Sequence, residues 1–381
     1  MKLLIIIPSF HNGGTNTSLR NIVTMLDRTK YDISVFAITD YGPNKEFLKD
    51  YCTLLNISGN SIINKKRVID FVPTVIKRIK KALSYIGVDI SPIVFKRVAS
   101  TLERNNYDLV ISFQEGGATL LASYFQRTKK IAWIRCDYQR YLVSKKIISR
   151  NKRIYGRFNR IICVSEFTRS QLLKTLPELS TKTISLHNLI NDDLIISKSK
   201  ENISIYNDYN GFKVVSVGRF DVVKRFELIP QIASFIKSKG FSFKWIILGD
   251  GKQELIRLTK EEIERYGLEQ VVILLGDCKN PYPYIVQSDL LVCLSSTEAC
   301  PNVINEAKIL HTPVVSTDFG SSREFLENNY NGLISSIDNI GNSILSLIEN
   351  KDLYYRIKRN ISHFKYSNQD ILRILQEEIL N

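Results

Sequence analysis

No run of apolar residues approaches the ~18 that a membrane-spanning helix requires, so any contact with lipid is expected to be peripheral. The apolar opening, Met1-Lys-Leu-Leu-Ile-Ile-Ile-Pro8, turns polar at His11-Asn-Gly-Gly14 and reads as a first β-strand rather than a secretion signal. The six cysteines (Cys52, Cys136, Cys163, Cys278, Cys293 and Cys300) include no Cys-x-x-Cys pair, and several lie in apolar runs such as Ile161-Ile-Cys-Val164. They read as reduced core thiols of a cytosolic protein. The four histidines are scattered. His187 and His311 read as strand-edge or loop residues, His11 is an acceptor-site candidate in a glycine loop, and no His/Asp/Glu grouping has metal-ligand spacing, so no metal is expected. No internal repeat, low-complexity tract or nucleic-acid motif is present, which leaves nucleic acid out of the expected partners.

What is present is a chain of 381 residues, long enough for two domains with real cores. Its formal charge of +15 is unevenly spread: residues 1–200 carry 33 basic and 15 acidic side chains, residues 201–381 carry 20 and 23. The first half is therefore expected to face something anionic, a membrane surface or a phosphorylated substrate, while the second does a different job. Short continuous apolar runs recur between helix-patterned segments. They are Leu3–Ile7, Ile33–Ile38, Leu109–Phe113, Ile131–Ile134, Ile161–Val164 and Thr183–Leu186, then Lys213–Val217, Trp245–Leu248, Val271–Leu275, Leu290–Leu294 and Pro313–Ser316. Runs of this kind are strands buried on both faces, and their alternation with helices predicts parallel sheets. The polar stretch Asn191–Gly211 lacks a strong period and is expected to join the halves. Two such α/β domains would face each other across a cleft at the carboxyl ends of their strands, where ligands of open sheets bind.

The most specific motif follows one of these strands: Ser295-Ser-Thr-Glu-Ala-Cys-Pro-Asn-Val-Ile-Asn-Glu306. Pro301 suits the first turn of a helix, where a missing N–H costs nothing. Glu298 then lies before the helix and Glu306 a turn or more inside it, while the helix start offers unpaired N–H groups to a phosphate. A second motif, Val215-Ser-Val-Gly-Arg-Phe-Asp-Val-Val-Lys-Arg225, again joins a strand to a loop. Gly218 permits the turn, and Arg219 and Lys224 can converge on a diphosphate, one as a planar fork and one as a point charge.

Glu298 and Glu306 form the Glu-x7-Glu pattern of the retaining GT-B glycosyltransferases of family 4, the glycosyl transferases group 1. The surrounding Asn280-Pro-Tyr-Pro-Tyr-Ile285, Ser288-Asp-Leu-Leu-Val292, Pro301-Asn-Val303, Glu306-Ala307 and Thr312-Pro-Val-Val315 resemble that family's usual context. The resemblance implies a GT-B fold: two Rossmann-like α/β domains facing an interdomain cleft. The expected domains are 1–195 for the acceptor and 196–365 for the nucleotide sugar, with a helix at about 366–381 crossing back to the first. It also assigns Arg219 and Lys224 to the donor diphosphate, Glu306 to the ribose and Glu298 to the transferred sugar, with Asn302 and Val303 at the helix start among the donor contacts. No metal or cofactor is implied, because the two cations offset the charge of the leaving nucleotide. Leu248-Gly-Asp-Gly-Lys-Gln253 is similar to the family's Gly-Asp-Gly turn, and its glycines read first as structural. Gly276-Asp-Cys-Lys-Asn280 is a candidate cover for the base.

In the first half, the family's Gly-Gly loop falls on Gly13 and Gly14, near donor phosphates and acceptor. Without a following Gly-Lys-[Ser/Thr] it is not a P-loop. In Lys130-Ile-Ala-Trp-Ile-Arg-Cys-Asp-Tyr138, Arg135 stands where many members carry a His that contacts the donor sugar. Either Arg135 binds phosphate or an acidic acceptor and Asp137 assists deprotonation of the acceptor hydroxyl, or the two simply form a salt bridge. Apolar residues from Val68 to Ile86 recur at helical spacing among Lys77, Arg78, Lys80 and Lys81, and the stretch from Lys145 to Arg160 holds seven cations and no acid. Both suit anionic headgroups or a lipid diphosphate as well as a solvated helix.

The expectation is a retaining glycosyltransferase that moves a hexose or N-acetylhexosamine from a nucleotide diphosphate sugar, a UDP-sugar by preference. The acceptor is expected to be a glycan on a polyprenyl diphosphate, in surface-polysaccharide synthesis at the inner face of the cell membrane. The alternative is a GT-B-shaped partner protein that binds a glycan or another transferase without turnover.

Overall fold

The computed structural model describes residues 1–11, 13–55, 91–141 and 145–380 of the chain. The proposed amphipathic helix from Val68 to Ile86 lies outside them. Two compact units result: Met1–Leu189 together with Gln369–Asn381, and Ile190–Asn368.

The first unit contains β1 (Lys2–Ser9), β2 (Asp32–Thr39), β3 (Thr53–Leu55), β4 (Leu109–Ser112), β5 (Lys129–Ile134), β6 (Arg160–Cys163) and β7 (Thr183–Ser185). They form one parallel sheet in the order β3-β2-β1-β4-β5-β6-β7, with Ile5 opposite Val35 on one side and Ile111 on the other. The second contains β8 (Phe212–Val217), β9 (Phe243–Leu248), β10 (Val272–Gly276), β11 (Leu290–Cys293), β12 (Val314–Thr317) and β13 (Leu333–Ser335), paired in parallel in the order β10-β9-β8-β11-β12-β13. Both are Rossmann-like. In each, the order reverses beside the first strand, between β1 and β4 and between β8 and β11, and ligands of such sheets bind beyond the carboxyl ends of the strands at that point.

The apolar runs became strands because helices cover both faces of the sheets. In the second unit Val214, Trp245, Ile247, Leu290 and Val292 enter one core, while their neighbours Val215, Ile246, Leu248, Leu291 and Cys293 enter another. The side chains of a strand alternate between faces, so two cores demand an unbroken apolar run. The Trp245 indole N–H donates to Ser216 Oγ at 3.1 Å, and that hydroxyl donates to the Val292 carbonyl at 2.8 Å, so the buried polar groups are satisfied. Two strands went unread, β3 and β13. Each is three residues long at or near a sheet edge, too short to show a period.

The expected junction also needs correction. Within Asn191–Gly211 a helix forms over Asp192–Lys198, capped by the Asn191 side chain, whose Oδ1 accepts the Leu194 N–H at 2.9 Å, with Asp192 and Asp193 in its first turn. Ile190 and Ile195 join a core of the second unit, which moves the division from 195/196 back to Leu189/Ile190. The return passage falls at Asn368. Its buried carboxamide accepts the Ile190 N–H at 3.0 Å and donates to the Ile190 carbonyl at 2.6 Å, binding the two connecting segments side by side. From there the helical segments Asn368–Ile374 and Leu375–Leu380 follow, and residues from Gln369 onward group with the first unit. All six cysteines are thiols.

Candidate functional site

The loops after β8 and β11 meet at the reversal point of the second sheet. The Ser296 N–H donates to the Val223 carbonyl at 2.7 Å, joining them through backbone. Gly218 opens the first loop. A Cβ there would stand 3.3 Å from Lys224 Cε, a tight contact, because the lysine stem lies across the turn. Lys224 Nζ reaches Glu298 Oε1 at 2.6 Å, and the same oxygen accepts Ser295 Oγ at 2.7 Å. Ser321 Oγ, donating to the Glu298 carbonyl at 2.8 Å, fixes the backbone beneath it. Burial alone would lower the Lys224 ammonium's pKa, but the charge of the Glu298 carboxylate and its hydrogen bond oppose this, and the pKa lies above the ordinary value. Arg219 is exposed on the same loop, near enough for its charge to act on Lys224. Sequence reasoning gave Lys224 and Glu298 separate duties and missed that they pair across 74 residues. It also assigned no role to Ser295.

The Gly-Asp-Gly turn after β9 braces this loop. Phe220 N–H donates to the Asp250 carbonyl at 2.9 Å, and the Phe220 carbonyl accepts Lys252 N–H at 2.8 Å. Gly249 and Gly251 lie against Gly218 and Phe220 so closely that an added Cβ would come within 1.8 Å of the Gly218 oxygen and 2.4 Å of the Phe220 oxygen. Arg219 therefore projects from a backbone clamped on both sides.

After β11 the helix runs Asn302–Ile309, one residue later than expected. Pro301 takes φ −77°, ψ 92° and stands as its extended cap rather than in its first turn. Pro301, at the cap position, provides no side-chain hydrogen bond, and Asn302 and Val303, both half-buried, begin the helix. Glu306 lies inside the helix, 9% exposed, and burial pushes its carboxyl up to about 7, with the Lys224 charge a smaller opposing influence. Two residues on, Lys308 is also buried. It donates to the Phe325 carbonyl at 2.6 Å and lies 4.2 Å from the Phe364 ring, and burial lowers it to about 8.

The Glu306 shift has a measurable consequence. The folded chain holds a proton that an ordinary glutamate, at 4.5, releases, so this site's stabilising contribution is complete at low pH. It declines as pH rises from 4.5 towards 7, by on the order of 3 kcal/mol in all. Urea unfolding between pH 5 and 8 should therefore show a steeper loss of stability for the wild type than for Glu306→Gln. Parallel curves would contradict the assignment.

In the first unit Gly13 adopts φ 148° and precedes the helix Gly14–Met25, at whose first residue an added Cβ meets nothing within 4 Å. Gly13, at the cap position, offers this helix start no side-chain hydrogen bond. At the end of β5, Arg135 donates through Nε to the Phe113 carbonyl at 2.9 Å and through Nη1 to Asn188 Oδ1 at 2.8 Å, with its guanidinium 3.8 Å from the Phe113 ring centre. Asp137 follows, half-buried. The residue that sequence reasoning missed is Glu115. It is 8% exposed in the loop after β4, and its carboxylate accepts the backbone N–H groups of Arg135 and of Cys136, the latter at 2.9 Å. Burial raises its pKa and these donors partly restore it. The signal was an acid followed by Gly116-Gly117 directly after a strand.

The helix Lys145–Tyr155 carries Arg150, Lys152 and Arg153. Lys182 closes its C-terminal end, donating to the carbonyls of Tyr155, Gly156 and Phe158 at 2.9–3.0 Å. Among the described residues no helix is long and apolar enough to cross a membrane, and no three His, Cys, Asp or Glu side chains gather as metal ligands.

Residues 198–364 match the family described as Glycosyl transferases group 1, and residues 12–194 match Glycosyltransferase Family 4. A Campylobacter jejuni protein is 27% identical over 343 residues, 89% of this chain and 87% of the relative. Its name is N-acetylgalactosamine-N,N'-diacetylbacillosaminyl-diphospho-undecaprenol 4-alpha-N-acetylgalactosaminyltransferase. A Methanocaldococcus jannaschii protein, named as an uncharacterized glycosyltransferase, is 31% identical over 200 residues, 50% of this chain and 48% of its own. Among solved structures, Anabaena HepE in complex with UDP and glucose aligns with a TM-score of 0.75 at 20% identity, covering 99% of this chain and 100% of that one. A glycosyltransferase from Rickettsia africae aligns at 0.75 and 17%, covering 100% and 98%. The two structural likenesses establish the GT-B fold.

Proposed function

The chain belongs to the glycosyl transferases group 1, with a first half of the Family 4 type, and from that premise we propose that it transfers a hexose or N-acetylhexosamine, with retention, from a UDP-sugar to a hydroxyl of a glycan carried on a polyprenyl diphosphate. The enzyme is a glycosyltransferase, and the observation that carries the finer reading is the Lys224–Glu298 pair at 2.6 Å, which joins the β8 loop to the loop leading into the helix Asn302–Ile309.

An arriving diphosphate competes with Glu298 for the lysine. Once Lys224 and Arg219 turn to the phosphates, Glu298 is released to accept hydrogen bonds from the sugar hydroxyls, while Asn302 and Val303 offer their N–H groups. Glu306, ionised above pH about 7, accepts the paired ribose hydroxyls. In the reaction the bond from the sugar's anomeric carbon to the phosphate oxygen breaks, its electron pair leaving with UDP, and the acceptor oxygen bonds to the same face of that carbon. The acceptor proton passes to the departing phosphate, and Asp137 is the residue we assign to assist it. The negative charge that grows on the diphosphate meets two cations and a helix start already in position, which stabilises the transition state without a metal.

The acceptor class is supported by the C. jejuni relative, whose name specifies a diphospho-undecaprenol substrate, and by the basic excess of residues 1–200. Gly13 and Gly14, at the start of the helix Gly14–Met25 in the same half, are assigned to that acceptor side. Peripheral attachment to anionic lipid at the inner membrane face, through the helix Lys145–Tyr155, fits the same charge.

Incubation with a panel of UDP- and GDP-sugars and an undecaprenyl-diphosphate-linked N-acetylhexosamine should yield a lipid one sugar longer with an α-anomeric proton from an α-linked donor. A ligand at 100 times its dissociation constant raises stability by about 2.7 kcal/mol, so a panel in which no nucleotide sugar raises the melting temperature would overturn the reading. Sedimentation with anionic liposomes should be lost in high salt.

A further inference from the structure

We propose that Tyr41, braced by His11, is the stacking platform for a pyranose ring of the acceptor glycan, an inference that rests on the glycosyltransferase reading above. Tyr41 follows β2 and His11 follows β1, so both stand at the carboxyl ends of adjacent strands, the edge of an open α/β sheet that receives ligands. Tyr41 is 67% exposed, and the His11 ring meets it edge-on with centroids 5.1 Å apart.

An isolated exposed tyrosine is ordinary; one set on a rigid mount is not. The Phe10 N–H donates to the Tyr41 carbonyl at 2.9 Å. Gly42 takes φ +134° and approaches so closely that a Cβ would stand 2.1 Å from the Phe10 carbonyl carbon. Two buried asparagines complete the mount. Asn44 Nδ2 donates to the carbonyls of Phe10 and His11, each at 3.2 Å, and Asn16 Nδ2 donates to the carbonyls of His11 and Ser9 at 2.7 and 3.1 Å. The two strand ends are thereby riveted together while the aromatic face they carry is left to solvent. Beside it, Asp40 and Lys45 pair at 2.8 Å and stay part-exposed.

A pyranose ring has one face of C–H groups and a rim of hydroxyls. Tyrosine offers a flat apolar face with a polar tip at little entropic cost, and the adjacent carboxylate and ammonium can accept from and donate to the rim. The platform therefore recognises a neutral sugar ring, with Asp40 and Lys45 setting which hydroxyls are favoured.

The test is saturation-transfer NMR on the full chain with the methyl pyranosides of glucose, galactose, N-acetylglucosamine and N-acetylgalactosamine, beside steady-state kinetics with the lipid-linked acceptor. At least one pyranoside should saturate on its C–H face, weaken about fivefold or more in Tyr41→Ala and persist in Tyr41→Phe and Tyr41→Trp. Tyr41→Ala should raise the KM for acceptor about tenfold and leave UDP-sugar affinity and acceptor-free donor hydrolysis unchanged. Equal saturation in all variants, or none in the wild type, would overturn the proposal. So would unaltered sugar signals accompanied by loss of binding to anionic vesicles in Tyr41→Ala, which would make the tyrosine a lipid contact. A pyranoside signal that depends on Tyr41 in a protein that binds no nucleotide sugar would uphold the platform and sink the transferase assignment instead.

Discussion

Lys224→Ala should lower kcat/KM for the sugar donor by about 10³-fold while leaving the protein folded. The lysine supplies the positive charge nearest to Glu298 and, on the proposed reading, the charge that meets the leaving diphosphate. Its removal acts twice. The diphosphate loses a cation, and the Glu298 carboxylate, left with Ser295 Oγ as its remaining side-chain donor among the described residues, repels the phosphates. Removing one preorganised charge-stabilising donor from an active site costs about 10²- to 10³-fold, and the added repulsion places this variant at the upper end. Because the pair is about four-fifths buried, with side chains 20% and 18% exposed, some stability is lost as well, so unfolding must be measured beside activity.

Three companions separate the contributions. Lys224→Arg should recover part of the rate, since it returns charge without the point geometry. Glu298→Gln should depress kcat by weakening the sugar contact while leaving UDP affinity intact or higher, because the lysine loses its ion-pair partner and no carboxylate then competes with the diphosphate for it. The double variant Lys224→Ala/Glu298→Gln should be less impaired than the product of the single effects, since the repulsion is gone. A Lys224→Ala enzyme within about tenfold of the wild type would end the electrostatic account.

Gly249→Ala should destabilise the second unit by more than about 3 kcal/mol and release the loop after β8. At φ +143° the position disfavours a side chain, and the new methyl would overlap the Gly218 carbonyl oxygen at 1.8 Å, a backbone atom that cannot rotate away. The Gly218 N–H donates to the Leu248 carbonyl at 3.0 Å, so moving one turn tears the other. Gly240→Ala provides the control: its φ is +82°, yet nothing lies within 4 Å of the added carbon. It should cost only the left-handed backbone strain, about 1–2 kcal/mol. Urea unfolding of the two variants, with UDP affinity as the second readout, isolates the close approach from the strain. Similar losses in both would mean that the β8 and β9 loops do not brace each other.

The sequence alone determined the parallel α/β sheets, because burial on both faces forces unbroken apolar runs that any reader of the chain can see. It also determined the order of the loop motifs, since Glu298 and Glu306 are separated by a spacing that a strand, a turn and a short helix translate directly into position. Where structure depends on three residues, as in β3 and β13, or on a cap, as at Asn191, local pattern was too brief or was outweighed by a polar composition. Tertiary structure decided the charges. That Lys224 meets Glu298, that Glu115 receives the backbone of Arg135, and that Glu306 holds its proton near pH 7 are consequences of chain segments brought together from far apart. Coulombic attraction and desolvation act through space, and distance through space is the quantity that a linear order of residues does not contain.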